Sequence, residues 1–316
     1  MDRNKKINTW VLGSTGYVGR LLTRKLLNAR IHKMWTGQLI TLGHRNIVPW
    51  IMERTNFYLY GLEAIPEELL RNYSPNHLYH CARIAGSNDR KRKRSSKRGF
   101  KANQRLLRLI ETRYPDTKIV YCSGSLMYGD SIESIDEDTP IAPISYARSY
   151  ELAERPWTNA NSSSSLDIRI ARPGWILGPD SWFEYFFYKP ALKQNSVPIY
   201  GNGKQLMSII SVEDCAGQLQ HLMVKGTANQ KANLFGFAPI TQVEFSQHVA
   251  KVLQLGTHYV SHDSLIKKHG STVQEALTSN TPLKTKYTEW HNSYEPFHSN
   301  LIELITSTIE QLRKKH

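Results

Sequence analysis

Cysteine is scarce in this chain. Three are present in 316 residues, Cys81, Cys122 and Cys215, widely spaced and odd in number. That excludes a disulfide framework, and buried thiols in a reducing compartment are the simplest account. Long apolar runs are missing too: none approaches the ~20 residues that a membrane-spanning helix requires. The first residues, Met1 to Lys6, lead directly toward an apolar strand and leave no room for a signal peptide, so a cytoplasmic protein without a membrane partner is expected. His262, His269 and His291 are scattered without ligand spacing, and no metal is expected. Acids are few, 27 against 41 Lys and Arg, for a net charge of +14. The rest is ordinary: 40% hydrophobic and 22% charged residues describe a globular chain long enough for one large domain or two unequal ones.

The excess charge is concentrated in Arg90-Lys91-Arg92-Lys93-Arg94-Ser95-Ser96-Lys97-Arg98, which holds no acid. Such a run can attract nucleic acid or an anionic surface, or serve as a localisation signal. The preferred reading is a solvated loop over 90–98, with nucleic acid not expected as a partner. A lid over an anionic cofactor is the further alternative.

What the chain does have is Trp10-Val11-Leu12-Gly13-Ser14-Thr15-Gly16-Tyr17-Val18-Gly19. A short apolar run reads as a buried strand, three glycines follow at i, i+3 and i+6, and helical spacing begins at Tyr17 with Val18, Leu21, Leu22 and Leu26. Strand, glycine turn and helix in that order form a phosphate site, because the free N–H groups and positive dipole end of the helix face the turn. The strand Leu39–Leu42 ends at Gly43, where an acid would bind the adenosine ribose hydroxyls. His44 and Arg45 follow instead, which favours a 2′-phosphate and hence NADP(H), with NAD(H) as the alternative. Further strands are read at Phe57–Tyr60, His77–Cys81, Lys118–Cys122, Leu166–Ile170 and Ala232–Gly236. Helices are read at 66–71, 100–113, 146–154, 241–253 and 299–315. This alternation predicts an α/β fold, a doubly wound, Rossmann-like parallel sheet with ligands at the carboxyl ends of its strands. The run 182–188, with six aromatics in seven residues, is read as core that partly lines a pocket, and 261–300 as polar and poorly patterned.

Taken together, the glycine turn, Ser123-Gly-Ser-Leu-Met-Tyr-Gly129, Pro143-Ile-Ser-Tyr146, Arg172-Pro-Gly-Trp-Ile-Leu-Gly-Pro179, Tyr200-Gly-Asn-Gly203 and Val212-Glu-Asp214 resemble the extended short-chain dehydrogenase/reductase family. That group includes nucleotide-sugar epimerases and dehydratases, and the likeness covers nearly the whole chain. It implies a dinucleotide domain over 1–174, to which 204–236 returns, and a smaller substrate domain over 175–203 and 237–316. It also implies a serine or threonine, a tyrosine and a lysine four residues later as the proton-transfer group. Tyr146 matches the tyrosine. Tyr150 stands in the lysine position, and Gly124, between Ser123 and Ser125, in the serine position. A phenol with a reference pKa of ~10 is a poor base at neutral pH without a nearby cation, and Arg83, placed after the fourth strand, is the preferred substitute over Arg148. The candidate catalytic set is Tyr146, Ser123, Ser125, Tyr150 and Arg83. The candidate cofactor set is Gly13, Ser14, Thr15, Gly16, Tyr17, Val18, Gly19, His44, Arg45, Ala82, Arg83, Asn103, Ser123, Tyr146, Pro173, Gly174 and Trp175.

Nucleotide-sugar members place an arginine four residues after the second glycine of Gly-x-Gly. Here that position is Met207, with Lys204 the nearest cation, while Asp214 reads as a helix-start residue. The expectation is therefore an NADP(H)-dependent oxidoreductase acting on an apolar or aromatic carbonyl or hydroxyl compound, with a homodimer as the assembly left open. A non-redox isomerase, dehydratase or cyclase on the same fold, and an inactive dinucleotide-sensing regulator, are the competing readings, ahead of a nucleotide-sugar epimerase.

Overall fold

The computed structural model describes residues 6–32, 37–86 and 88–315. The reading of Met1–Lys5 lies outside them. In chain order the elements are β1 (Thr9–Leu12), α1 (Tyr17–Ile31), β2 (Leu39–Gly43), α2 (Pro49–Arg54), β3 (Asn56–Leu59), α3 (Glu67–Asn72), β4 (His77–His80), α4 (Asp89–Arg113), β5 (Lys118–Cys122), α5 (Ser145–Ser163) and β6 (Asp167–Pro173). They continue with β7 (Trp175–Leu177), α6 (Lys189–Gln194), β8 (Ser196–Tyr200), β9 (Leu206–Met207), β10 (Ile209–Ser211), α7 (Val212–Lys225), β11 (Lys231–Leu234), β12 (Ile240–Thr241) and α8 (Gln242–Leu253). Then come β13 (Gly256–Val260), α9 (His262–His269), α10 (Ser271–Thr278), α11 (Thr288–Asn292) and α12 (Leu301–Lys315).

A seven-stranded sheet runs in the order β11-β6-β5-β4-β1-β2-β3. It is the parallel, Rossmann-like α/β sheet that the alternation of strands and helices dictates. β1 pairs in parallel with β2 on one side and β4 on the other, so its carboxyl end lies beside theirs. Strands β1 and β2 are buried along their length, and β5 buries Ile119, Val120 and Tyr121, because helices cover the sheet. Trp10, Leu12, Ile40, Leu78, Ile119, Ile168 and Ile170 form a core with Leu106 and Ile110 of α4 and Trp157 of α5.

By internal contacts the chain divides into two compact units. The first comprises Met1–Ser123, Ser149–Ala171 and Ala216–Ala232; the second comprises Gly124–Arg148, Arg172–Cys215 and Asn233–His316. The second unit has its own core, in which Phe183 and Phe187 meet Phe245 of α8 and Leu304, Ile305 and Ile309 of α12. Helix α8 opens with a reciprocal capping box between Thr241 and Glu244. Asp214 is fully buried, and its carboxylate accepts from Ser211 Oγ at 2.6 Å, Tyr294 Oη at 3.0 Å and the Phe297 amide at 2.6 Å.

Three expectations are corrected. The basic run is helical: α4 starts at Asp89, capped by Asn88, whose side chain accepts from the Lys91 amide at 2.9 Å. Lys and Arg are good helix formers, and buried Ser95 and Ser96 give the segment an inward face. Helix α5 runs to Ser163, past Pro156. The proline denies the Leu152 carbonyl its N–H partner, but Trp157 and Ala160 beyond it are packed in the core of the first unit. Finally, the polar region 261–300 contains α9, α10 and α11, short helices that bury Leu265, Leu277 and Trp290 respectively.

Candidate functional site

In the first unit, the chain leaves β1 through Gly13 at φ +79°, a conformation that glycine adopts without steric cost. The amides of Gly13 and Ser14 both donate to the Leu42 carbonyl at 3.0 Å, which holds the turn against β2. A Cβ on Gly13 would stand 2.9 Å from the backbone of Cys81 and Ala82, and one on Gly19 would stand 2.0 Å from the Gly13 carbonyl oxygen. Only glycines allow α1 to sit this close to the turn. Gly16 is the helix N-cap, no side chain caps it, and no acid lies in the first turn. The Gly16 amide donates to the Gly13 carbonyl at 2.9 Å, and the positive dipole end of α1 faces the turn, as a bound pyrophosphate would need. Ser14 adds a fully buried hydroxyl without a protein partner. This cradle fits a dinucleotide.

At the end of β2, a Cβ on Gly43 would meet the Phe57 ring and Thr15 Cγ2 at 2.9 Å, so a carboxylate side chain has no room there. His44 and Arg45 are exposed just beyond. Sequence reasoning missed the neighbouring pair of Glu63 and Arg98. Arg98 Nε donates to Glu63 Oε1 at 2.9 Å; this bond, with a smaller contribution from His44, holds the Glu63 carboxyl below its ordinary range. Glu63 sits 19 residues after His44, in a single helical turn, so no local pattern marked it.

Ala82 and Arg83 follow β4. The Arg83 guanidinium lies 4.2 Å from the ring centroid of Tyr150, which is buried on α5. A cation is therefore fixed against the residue that occupies the family's lysine position. One helical turn later, buried Glu154 accepts from Ser123 Oγ at 2.6 Å. Burial, reinforced by Glu154 and opposed by Arg83, raises Tyr121 well above the usual phenol range. Asn103 is also buried, with both ends of its amide engaged. Nδ2 donates to the Ala153 carbonyl at 2.7 Å, and Oδ1 meets His80 Nε2 at 2.9 Å. Its observed partners are thus α5 and β4.

In the second unit, Tyr146 is half-buried in the first turn of α5, packed with Met127, Ile144 and Ala147. The Ser145 amide donates to Glu275 Oε2 at 3.0 Å, which anchors that turn. Ser125 is buried at the start of a single helical turn, and a Cβ on Gly124 would meet nothing within 4 Å. Arg148 donates to the Pro143 carbonyl at 3.0 Å. Pro173 and Gly174 lead into Trp175, whose amide donates to the Ser208 carbonyl at 2.8 Å and whose ring meets Trp182 edge-on at 5.0 Å. Within the aromatic run, Phe183, Phe187 and Tyr188 are core and Tyr185 is exposed. Met207 is buried in the same core.

A model of the NAD dependent epimerase/dehydratase family matches residues 9–235. The chain belongs to this family. A curated dTDP-glucose 4,6-dehydratase from Streptomyces niveus is 24% identical over 150 residues, a match that spans 46% of this chain and 45% of that relative. Among solved structures, the fold of this family member is similar to that of a Bacillus anthracis dTDP-glucose 4,6-dehydratase in complex with NAD, at TM-score 0.78 and 20% identity, covering 98% of this chain and 97% of that one. It is also similar to a Thermotoga maritima UDP-glucose 4-epimerase with UDP-glucose, at TM-score 0.77 and 19% identity, covering 98% and 99%. Extended short-chain dehydrogenase/reductases are thus its structural neighbours. Among the described residues, no helix is long and apolar enough to cross a membrane.

Proposed function

We propose that this chain is a nicotinamide-dinucleotide-dependent enzyme that prefers NADP(H) and acts on a carbonyl or hydroxyl compound that is not a nucleotide sugar. The observation that carries the reading is Arg83 stacked on Tyr150. The family's lysine is missing, yet a cation is held against the ring of the residue that replaces it. Bound at the glycine turn, the dinucleotide supplies hydride transfer. The α1 N-terminus and Ser14 hold its pyrophosphate, and His44 and Arg45 receive the 2′-phosphate. Tyr146 exchanges a proton through Oη with the substrate oxygen. Tyr150 keeps a hydroxyl on the helical turn after Tyr146, where the ribose can bond to it. Glu154 orients the Ser123 hydroxyl at the end of β5. The buried Met207, where nucleotide-sugar members carry an arginine, supports the substrate class.

The names of the neighbours favour one second reading, a nucleotide-sugar epimerase or dehydratase. Turnover of NADPH and NADP+ across a panel of aromatic and aliphatic carbonyls and alcohols, with UDP- and dTDP-sugars alongside, separates the two. Tyr146→Phe should lower turnover ~10²–10⁴-fold, as loss of a positioned acid or donor does. Arg83→Ala should lower it less. Full activity in Tyr146→Phe would overturn the proposal, and turnover confined to nucleotide sugars would establish the second reading.

A further inference from the structure

The outer face of α4 is not used by the site described above. Arg90, Arg94, Lys97, Lys101, Arg105 and Arg108 fall at i, i+4, i+7, i+11, i+15 and i+18, and all six are exposed. This spacing puts them in one stripe along the helix, about 27 Å long at ~1.5 Å per residue. Lys93 and Arg98 flank it. Beside its C-terminal half runs a shallow groove of about 410 Å³, lined by Lys101, Arg105, Arg108 and Arg113, with Glu67 on its edge. Two acids near the stripe are paired with cations, and a third accepts from a hydroxyl. Glu63 pairs with Arg98, Glu67 lies 3.4 Å from Arg113, and Glu111 accepts from Ser164 Oγ at 2.6 Å. The opposite face of α4 is packed in the core of the first unit, which fixes the stripe on a rigid support.

We propose that this stripe docks the phosphate backbone of double-stranded nucleic acid, without sequence preference. A straight row of cations with about one charge per helical turn complements a linear polyanion. None of the exposed large apolar residues lies on α4, so the face has nothing to insert into a lipid surface. Its single aromatic, Phe100, is half-buried, which leaves no stacking platform for single-stranded bases. A second copy is disfavoured, because a two-fold contact on this face would set the stripe against itself. The helical state of the run is what reverses the expectation drawn from a solvated loop: seven charges on a mobile loop have no register, whereas on a helix they share a face.

The test is fluorescence anisotropy of a labelled DNA duplex of arbitrary sequence, titrated with the full chain at several salt concentrations. The slope of log K against log salt should be roughly −4 to −5, as contact with about five phosphates gives. Replacing Arg94, Lys97, Lys101 and Arg105 with serine should weaken binding at least ~10-fold and remove most of that slope. Serine at Lys225, Lys251, Lys267 and Lys314, which are exposed elsewhere, makes the same change in net charge and should have little effect. If the fourfold stripe variant does not fold, Arg94→Gln with Lys101→Gln should flatten the slope by roughly 2. No binding at low salt, equal losses in the stripe and control variants, stronger binding to a single strand, or stronger binding to phosphatidylserine vesicles would each overturn the proposal.

Discussion

At the scale of single residues, the side chains of the candidate site differ in how readily the sequence nominates them. Tyr146, the glycine turn, and Gly43 with His44 and Arg45 were legible because each sits at a fixed distance from a strand or helix end. Arg83 could be nominated from its place after β4, but its stacking on Tyr150 joins residues 67 positions apart and has no local signature. Glu154 was invisible for the same reason: a carboxylate one turn past Tyr150 reads as a surface helix residue until its burial is known. His80 is a third case. It is fully buried at the end of β4, between the edges of Tyr121 and Trp157, and Asn103 accepts from its Nε2. Burial, partly offset by that hydrogen bond, lowers its pKa to about 4 from the usual 6.5. Between those values the unfolded chain binds a proton at this histidine and the folded one does not. Stability is therefore intact above pH ~6.5 and falls as pH drops toward ~4, by about 3 kcal/mol in total from this group. Urea unfolding over that range should show the loss in the native protein and a flatter profile in His80→Gln. Parallel profiles would contradict this account of His80.

At the scale of elements, most boundaries followed from periodicity and capping signals. The helix read at 241–253 begins at the N-cap of α8, and the alternation of short apolar runs with amphipathic stretches announced the sheet. The failures share a cause, since tertiary packing outweighed local composition. A nine-residue stretch with seven charges looks like loop until Ser95, Ser96 and Gly99 are seen to face inward. A proline looks like a helix end until Trp157 beyond it is seen to be buried. Gly99 gives a direct check on the packing of α4. A Cβ there would stand 2.9 Å from Ala153 Cβ on α5. Gly99→Ala gains ~0.5–1 kcal/mol of helix propensity but meets an overpacking cost of ~1–3 kcal/mol. A net destabilisation of about 1 kcal/mol is expected from the urea midpoint, and a stabilised variant would show that the two helices can separate freely at this point.

At the scale of the whole molecule, fold and family were readable because the motifs recur in order along nearly the full chain, each at a strand or helix terminus. Specificity was less readable, because it depends on which side chains reach a ligand. The central claim is that the first unit binds a dinucleotide at the Gly13 turn and reads its 2′-phosphate with His44 and Arg45. Calorimetric titration with NADP+ and NAD+ tests it most directly, in the native protein and in Arg45→Ala. The account predicts tighter binding of NADP+, by ~10-fold or more for an arginine–phosphate contact worth ~1.5–3 kcal/mol, with most of that difference lost in Arg45→Ala. Equal affinities in the native protein, or no binding of either dinucleotide, would contradict it.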